Sequence, residues 1–241
     1  MLIFWRLILG HFLADFTLQS NRINELKRDN TVGMLLHCLT HPFCYIILTY
    51  PYLSEVWVRI LGIPIHGWTA IVLITTIHYV EDIWRVHNIR KLGLPDNTLY
   101  LLWDQVIHIS TIFVFFGDCP ISSEWQSLVP EVWPVLATLA IVATHFSVVL
   151  VYFIEKDFFN KSYPGGWEKY ISITERGLAF TALAALPGMR LAWMTAIAAL
   201  LAPRFVAAHY HRTQNRPLSL SWTIGSLLAI SAGLLARSLL I

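Results

Sequence analysis

Four pairs of histidine and aspartate side chains, each spaced i, i+4, are the residues of this sequence that could do chemistry. They are His11 and Asp15, His37 and His41, His78 and Asp82, and Asp104 and His108. On a helix this spacing places both members of a pair on one face, about one turn apart. Imidazole and carboxylate groups together are ligands for zinc, manganese or iron. We therefore predict that all eight residues are metal ligands.

The number of candidate ligands suggests the kind of metal centre. Eight side chains exceed the four ligands of one tetrahedral ion, so we expect one or two divalent ions, with spare carboxylates orienting the imidazoles. Such a centre would activate water and polarise a phosphoryl or acyl oxygen. One of four acidic residues would then act as the general base: Asp15, Asp82, Asp104 or Glu81. A metal-dependent hydrolase is the leading hypothesis.

Other polar residues could complete this centre. Gln19 and Gln105 extend two of the pairs and could hydrogen-bond to ligands or substrate. Glu175 and Arg176 lie at a similar predicted depth and are possible accessory residues. The cysteines form no C-x-x-C motif, so they predict neither a disulfide framework nor a thiolate metal site. Cys38 is interpreted as a small apolar filler.

Other functions are compatible with the same residues. The pairs could form a hydrogen-bond network that shuttles protons or locks a helix bundle. They could be the transit site of a divalent cation or proton transporter. A diiron oxygenase ranks lower, because only one H-x-x-x-H and no H-x-x-H-H is present. A non-catalytic membrane partner or sensor is a further alternative.

The elements that must position these residues are membrane helices. Hydrophobic residues make up 56% of the 241 residues and charged residues only 13%, and the mean hydropathy is +0.58. A soluble domain averages about a quarter charged residues. Apolar runs near the roughly 20 residues that span a bilayer recur along the chain. We predict an all-α, polytopic transmembrane bundle of about eight spans: 1–19, 32–53, 64–84, 98–117, 131–154, 170–187, 189–207 and 220–240.

The distribution of positive charge orients these spans. Twelve of the seventeen Lys and Arg residues fall in the first, third, fifth and seventh predicted loops. Positive residues favour the cytoplasmic side, so both termini are predicted to be extracytoplasmic. Each His/Asp pair then lies in one layer, roughly 6–15 Å below the cytoplasmic end of its helix. No basic run alternates with aromatic residues, so no nucleic-acid partner is expected.

The chain also divides by content. Residues 1–117 hold most of the predicted buried polar groups and are expected to form a site-bearing half of four helices. Residues 118–241 are rich in Ala and Leu and are expected to form a supporting half of four helices. Because the site would lie just below the membrane surface, its substrate is expected to be lipid-like or membrane-associated. The sequence leaves the oligomeric state open.

At these residues the sequence resembles the bacterial membrane proteins called domain of unknown function 3307. The resemblance rests on HFLADFTLQ, the His37-x-x-x-His41 helix, HYVED and WDQVIH in the first half, and on ITERGL, PRF and TIGSLL in the second. Glu81 stands where the family usually has an apolar residue, and Ala202 where a lysine is expected. The resemblance implies a multi-pass protein of the bacterial inner membrane and no particular activity.

Overall fold

The computed structural model describes residues 2–116, 131–160, 166–211 and 220–241. These residues are mostly helical, and a helix lies at each of the eight predicted places. The chain forms two compact units, Met1–Val135 and Leu136–Ile241. Lys161, Arg212 and Arg216, which the sequence predicts in cytoplasmic loops, lie outside the described residues, as does Cys119.

The first unit is built from helices and one small hairpin. Its elements in chain order are α1 (Leu2–Phe12) with a π-helical turn (Leu13–Thr17), α2 (Asn21–Asp29), α3 (Thr31–Thr49), a 3₁₀ turn (Tyr50–Tyr52), β1 (Val56–Ile60), β2 (Ile63–His66), α4 (Gly67–Lys91) and α5 (Thr98–Phe115). Helix α3 lies against α1, α2 and α4, and α5 lies against α1 and α4. The four site-bearing segments therefore share one interior.

Three polar side chains fix where the helices of this unit begin. Ser20, Asn30 and Asn97 cap α2, α3 and α5, and each accepts a hydrogen bond from the backbone N–H three residues on. Such caps satisfy a donor that the first helical turn leaves free. The chain turns tightly between α2 and α3 and brings Gly33 against the backbone of Leu26. A side chain at Gly33 would collide with that backbone. This contact holds α2 close against α3.

The hairpin before α4 was not predicted. Strands β1 and β2 are antiparallel, and Leu61 and Gly62 join them with φ of 51° and 84°. Two consecutive left-handed residues are typical of a type I′ turn, which suits the twist of a two-residue hairpin. Trp57 of β1 is buried, and its Nε1 donates to the Tyr52 carbonyl at 2.8 Å. Helix α4 consequently starts at Gly67, three residues later than the predicted span.

The second unit packs through small residues. The unit begins inside a long helical segment formed by α6 (Trp133–Ile141), a π-helical turn (Val142–Phe146) and α7 (Ser147–Phe159). It continues with α8 (Gly166–Ala185), α9 (Met189–His211) and α10 (Leu220–Leu240). Ala179, Ala182, Leu183, Ala192 and Ala196 form a buried cluster where α8 meets α9. Small side chains allow this close approach in helices that share a membrane.

Four helical segments are long and apolar enough to cross a membrane: Thr31–Tyr52, Thr98–Phe115, Trp133–Phe159 and Trp222–Leu240. Large apolar side chains on α3, among them Leu39, Phe43 and Ile47, are more than half exposed. Apolar surface of this kind marks membrane or protein contact. The other predicted spans do not meet the length and hydropathy criteria within the described residues, and α1, for example, has only eleven residues. These features support association with a membrane.

Candidate metal centre

The four His/Asp pairs converge in the interior of the first unit. The π-helical turn after α1 carries Asp15, and α3, α4 and α5 carry the other three pairs. All five histidines are at most 3% exposed, and so are Asp82 and Asp104. The Asp15 side chain is 9% exposed. A π-helical turn at one of the candidate ligands is notable, because such turns occur frequently at functional sites.

Potential ligand atoms come together in four overlapping groups, in each of which they lie within 4.8 Å of one another. The groups are Asp15, His37, His41 and His78; His11, His78 and His108; Cys38, His78 and Asp82; and Glu81, Asp82, Asp104 and His108. Every one of the eight predicted ligands belongs to a group, and so does Glu81. His78 belongs to three groups and is therefore the centre of the cluster.

The separations around Asp15 match those of a metal site. Asp15 Oδ1 lies 3.1 Å from His41 Nε2, 3.3 Å from His37 Nε2 and 4.0 Å from His78 Nε2. Ligand atoms of a tetrahedral zinc lie about 3.3 Å apart, given bonds of roughly 2.0–2.1 Å. The residues present therefore fit a divalent ion. His37 Nε2 also lies 3.2 Å from Asp82 Oδ2, which links this group to the carboxylates of α4.

A second part of the cluster is formed by the rings of His41, His78 and His108. The ring centroids of His78 and His108 are 4.0 Å apart, and those of His41 and His78 are 3.8 Å apart. His108 Nε2 lies 2.8 Å from Glu81 Oε2, although the two atoms are out of line for a hydrogen bond. These tilted imidazole rings lie close together beside a carboxylate, which is a donor set that suits a shared cation.

Several nitrogens of these rings have no hydrogen-bond partner. They are buried, and they include His78 Nε2 and Nδ1 of His11, His37, His41 and His108. Burying a polar atom without a partner costs about 1–3 kcal/mol. A network that only locked the helices together would pair both nitrogens of each ring. The free nitrogens therefore favour a binding function over a purely structural one.

Gln105, predicted as an accessory residue, lies inside the cluster. Its Oε1 accepts from His11 Nε2 at 3.1 Å, and its Nε2 donates to Asp104 Oδ2 at 3.1 Å. The same Nε2 lies 3.4 Å from Asp15 Oδ2. A hydrogen bond of this kind fixes the orientation of an imidazole and leaves its other nitrogen available to a metal.

Two cations that the sequence analysis did not single out also contact the cluster. Lys27 Nζ of α2 lies 3.4 Å from His37 Nε2 and 3.6 Å from Asp82 Oδ2. Arg85 Nη1 donates to Asp104 Oδ2 at 2.9 Å. The signal for Lys27 was its spacing from Ile23 (i, i+4), since an interfacial helix buries such a face. The signal for Arg85 was its position one turn after Asp82 on the same helix face.

Ion pairs hold α2 over the cluster. Asp96 bridges two arginines, accepting from Arg28 at 3.1 Å and from Arg85 at 3.3 Å. Asp29, at the end of α2, pairs with Arg90 of α4. The segment 21–29 is thus a helix whose basic end is fastened to α4 and to the loop after it. Cys38, interpreted from the sequence as a filler, contributes its thiol 4.0 Å from Asp82 Oδ2.

Three predicted accessory residues have other partners. Gln19 Nε2 donates to Asn24 Oδ1 at 3.1 Å and thereby supports the start of α2. Glu175 and Arg176 are buried in the second unit, where Glu175 accepts from Arg204 and Arg176 donates to Ser147. The described hydrogen bonds of these three side chains therefore run to residues other than the eight predicted ligands.

Comparison with known proteins gives a family and no relative of known function. No curated protein and no solved structure matches the chain. The model of the family described as "Protein of unknown function (DUF3307)" matches residues 3–136, which include every residue of the cluster. The sequence motifs at 173–178, 203–205 and 223–228 lie outside this match. The chain belongs to the DUF3307 family.

Proposed function

We propose that this protein is a metal-dependent membrane hydrolase with one or two divalent ions in the cluster. The observation that carries the proposal is His78, a residue that belongs to three of the four ligand groups and whose buried Nε2 has no hydrogen-bond partner. A nitrogen in that position is matched to a cation. The ligand set contains more oxygen and nitrogen donors than a structural ion requires, and this surplus favours catalysis.

Different residues would have different duties in such a centre. Asp15, His37 and His41 would hold one ion, with His78 shared. Asp82 and His108 would serve a second ion. A bound metal would supply Lewis acidity to a phosphoryl or acyl oxygen. Glu81 is the best candidate for the general base, because no arginine or lysine pairs with it among the described contacts, whereas Asp104 is held by Arg85.

The position of the cluster supports a membrane substrate. His37 lies six residues after the start of α3, Asp104 six residues after the start of α5, and Asp82 nine residues before the end of α4. At about 1.5 Å per residue these distances are roughly 9–14 Å, so the cluster lies near one end of the helices. We infer that a lipid-like or membrane-associated substrate reaches it from that end.

The full topology is part of this proposal. We infer eight spans in the bacterial inner membrane with both termini on the extracytoplasmic side, because twelve positive residues then fall in the cytoplasmic loops. The cluster would then face the cytoplasm. Cysteine-accessibility labelling of Asn30→Cys and Gly62→Cys in intact cells, each combined with Cys119→Ser, tests this orientation. Only the second position should then react with an impermeant reagent.

Metal content is the direct test of the proposed centre. Protein purified in a mild detergent should contain one or two zinc, manganese or iron ions per chain. Inductively coupled plasma mass spectrometry measures this content. His78→Ala should lose them, whereas His145→Gln, a histidine of the second unit, should keep them. A native chain without bound metal that also takes up none on titration would exclude the proposal.

Hydrolysis and transport are separated by two assays on the same preparations. Metal-loaded protein should hydrolyse phosphate or carboxylate esters presented in mixed micelles, and a chelator should abolish the activity. A divalent-cation transporter would instead move ions into proteoliposomes in a manner that His78→Ala eliminates, with no ester cleaved. That pattern would replace the hydrolase proposal by transport through the same ligands.

A further inference from the structure

We propose that the second unit contains an anion-binding site built around Arg176, which takes a carboxylate or phosphate group. The proposal does not rest on the metal hypothesis. It is carried by the buried guanidinium of Arg176, by the residues that make room for it, and by the charge of the unit.

Arg176 is a buried cation with too few partners. It is 2% exposed, and its one described hydrogen bond runs from Nη1 to Ser147 Oγ at 2.9 Å. Its Nε is buried with no partner. A guanidinium has five N–H donors, and burying its charge among apolar helices is costly unless an anion compensates it. An anion is therefore the missing partner.

The nearest acid is already occupied. Glu175 is fully buried, and both of its oxygens accept from Arg204, Oε2 from Nε and Oε1 from Nη2, each at 2.8 Å. Ser172 Oγ accepts a further bond from Arg204 at 2.8 Å. Both Glu175 oxygens are thus taken by Arg204, and the charge of Glu155 acts on Arg176 without a described hydrogen bond between them. Among the described hydrogen bonds, no carboxylate accepts from the Arg176 guanidinium.

The fold makes space for the guanidinium instead of excluding it. A Cβ at Gly225 of α10 would collide with the Arg176 guanidinium, so a larger residue there would displace the guanidinium from its present position. The next residue, Ser226, has a buried hydroxyl without a partner. Ser147 immediately follows the π-helical turn 142–146, and turns of this kind are frequent at functional sites. Unpaired donors on α8 and α10 are suited to an oxyanion.

The charge of the whole unit points to the same ligand. Residues 136–241 contain nine Lys and Arg against four Asp and Glu. A surface or cleft of one sign raises the local concentration of ions of the other sign. Gly225 lies five residues after the start of α10, and Arg204 lies seven residues before the end of α9. These are roughly 7–11 Å from the helix ends, within reach of a lipid headgroup or a dissolved anion.

The test is an anion-dependent thermal shift of the full chain in a non-ionic detergent, at constant ionic strength set with potassium chloride. Inorganic phosphate, acetate, and phosphatidylglycerol in mixed micelles are added separately, with diacylglycerol as the uncharged lipid control. At least one anion should raise Tm in a saturable manner, as ligand binding to the folded state requires. A response to phosphatidylglycerol alone identifies a lipid source; a response to phosphate or acetate identifies a soluble one.

Variants decide whether Arg176 is the binding group. Arg176→Gln should weaken the responding anion roughly tenfold or more, because a charge-assisted hydrogen bond is lost. Arg237→Gln is the matched control, since Arg237 donates to the carbonyls of Leu183 and Leu186 in the same unit. It should lower the starting Tm and leave the anion response unchanged.

Two further results keep the proposal falsifiable if Arg176→Gln does not fold. Gly225→Ala keeps every charge but pushes against the guanidinium, and it should weaken the response as well. The response should persist in His78→Ala, which separates this site from the metal centre. A native chain whose Tm no anion changes, or a response that is equal in Gly225→Ala and Arg237→Gln, would overturn the proposal.

Discussion

The two units bury polar groups in opposite ways. Residues 1–135 contain eleven Asp and Glu against eight Lys and Arg, whereas residues 136–241 contain four against nine. In the first unit, histidines and carboxylates from four segments face one another around His78. In the second unit, small apolar residues dominate the packing, and Arg176 is the buried arginine of its described part. The first arrangement is suited to cations and the second to anions.

The comparison also separates two kinds of constraint. The family match covers residues 3–136 and so follows the first unit closely. Its cluster needs many side chains at defined distances, because a metal centre depends on all of its ligands and their supporting hydrogen bonds. Alanine-rich packing needs mainly the right volume. Substitutions in the first unit should therefore affect metal binding and catalysis, whereas substitutions in the second unit should affect mainly stability.

The largest expected effect is on catalysis in the first unit. Glu81→Gln keeps the size of the side chain and removes its capacity as a base, so ester hydrolysis should fall by roughly 10²–10⁴-fold. The chain should still bind metal, because the remaining ligand groups are intact. The measurement is the initial rate in mixed micelles beside the metal content of the same sample. A rate within threefold of the native value would remove Glu81 from the mechanism.

The next effect concerns the stability of the cluster. Arg85→Met removes the partner of Asp104 and leaves a carboxylate that is 3% exposed without its cation. Breaking a buried pair in this way typically costs about 3–5 kcal/mol. Arg90→Met is the control, because its pair with Asp29 is exposed and should contribute at most about 1 kcal/mol. Urea or heat unfolding in detergent compares the two, and equal losses would contradict this assignment.

A smaller effect is expected in the second unit. Ala182→Leu inserts a large side chain where α8 and α9 are in close contact, and such overpacking costs about 1–3 kcal/mol. Tm should fall, yet metal binding per folded chain should match the native value. Ala202→Leu is the control, because Ala202 is an exposed residue of α9, and it should leave Tm nearly unchanged. Loss of metal in Ala182→Leu would break the separation between the units.

The sequence predicted the helices and much of the cluster, and the reasons are physical. A pair at i, i+4 shares a helix face whatever the tertiary fold, and polar groups in apolar helices must find one another. This is why His11, His41 and His108 were found from spacing alone. The convergence of these side chains is a structural finding, while their roles as ligands stay a prediction.

What the sequence missed depends on contacts between distant segments. The hairpin turn uses Leu61 and Gly62 instead of the Asn-Gly that usually marks a type I′ turn. Lys27 was counted as a loop charge, because only the packing of α2 on α3 shows that its amine reaches Asp82. Each miss is a case in which tertiary packing decides.

Lys27 offers the smallest and most selective test of the comparison. Its amine lies 3.4 Å from one candidate ligand, His37, and 3.6 Å from another, Asp82, so it repels any cation bound there. Lys27→Gln should therefore raise the affinity for zinc or manganese by about tenfold, a fraction of the Coulomb energy at this distance. Isothermal titration of the metal-free protein measures it, with Lys91→Gln as the control that removes an equal charge from the end of α4. Unchanged affinity in Lys27→Gln would mean that α2 covers the cluster without tuning its charge, and the cation preference of the first unit would then come from its histidines and carboxylates alone.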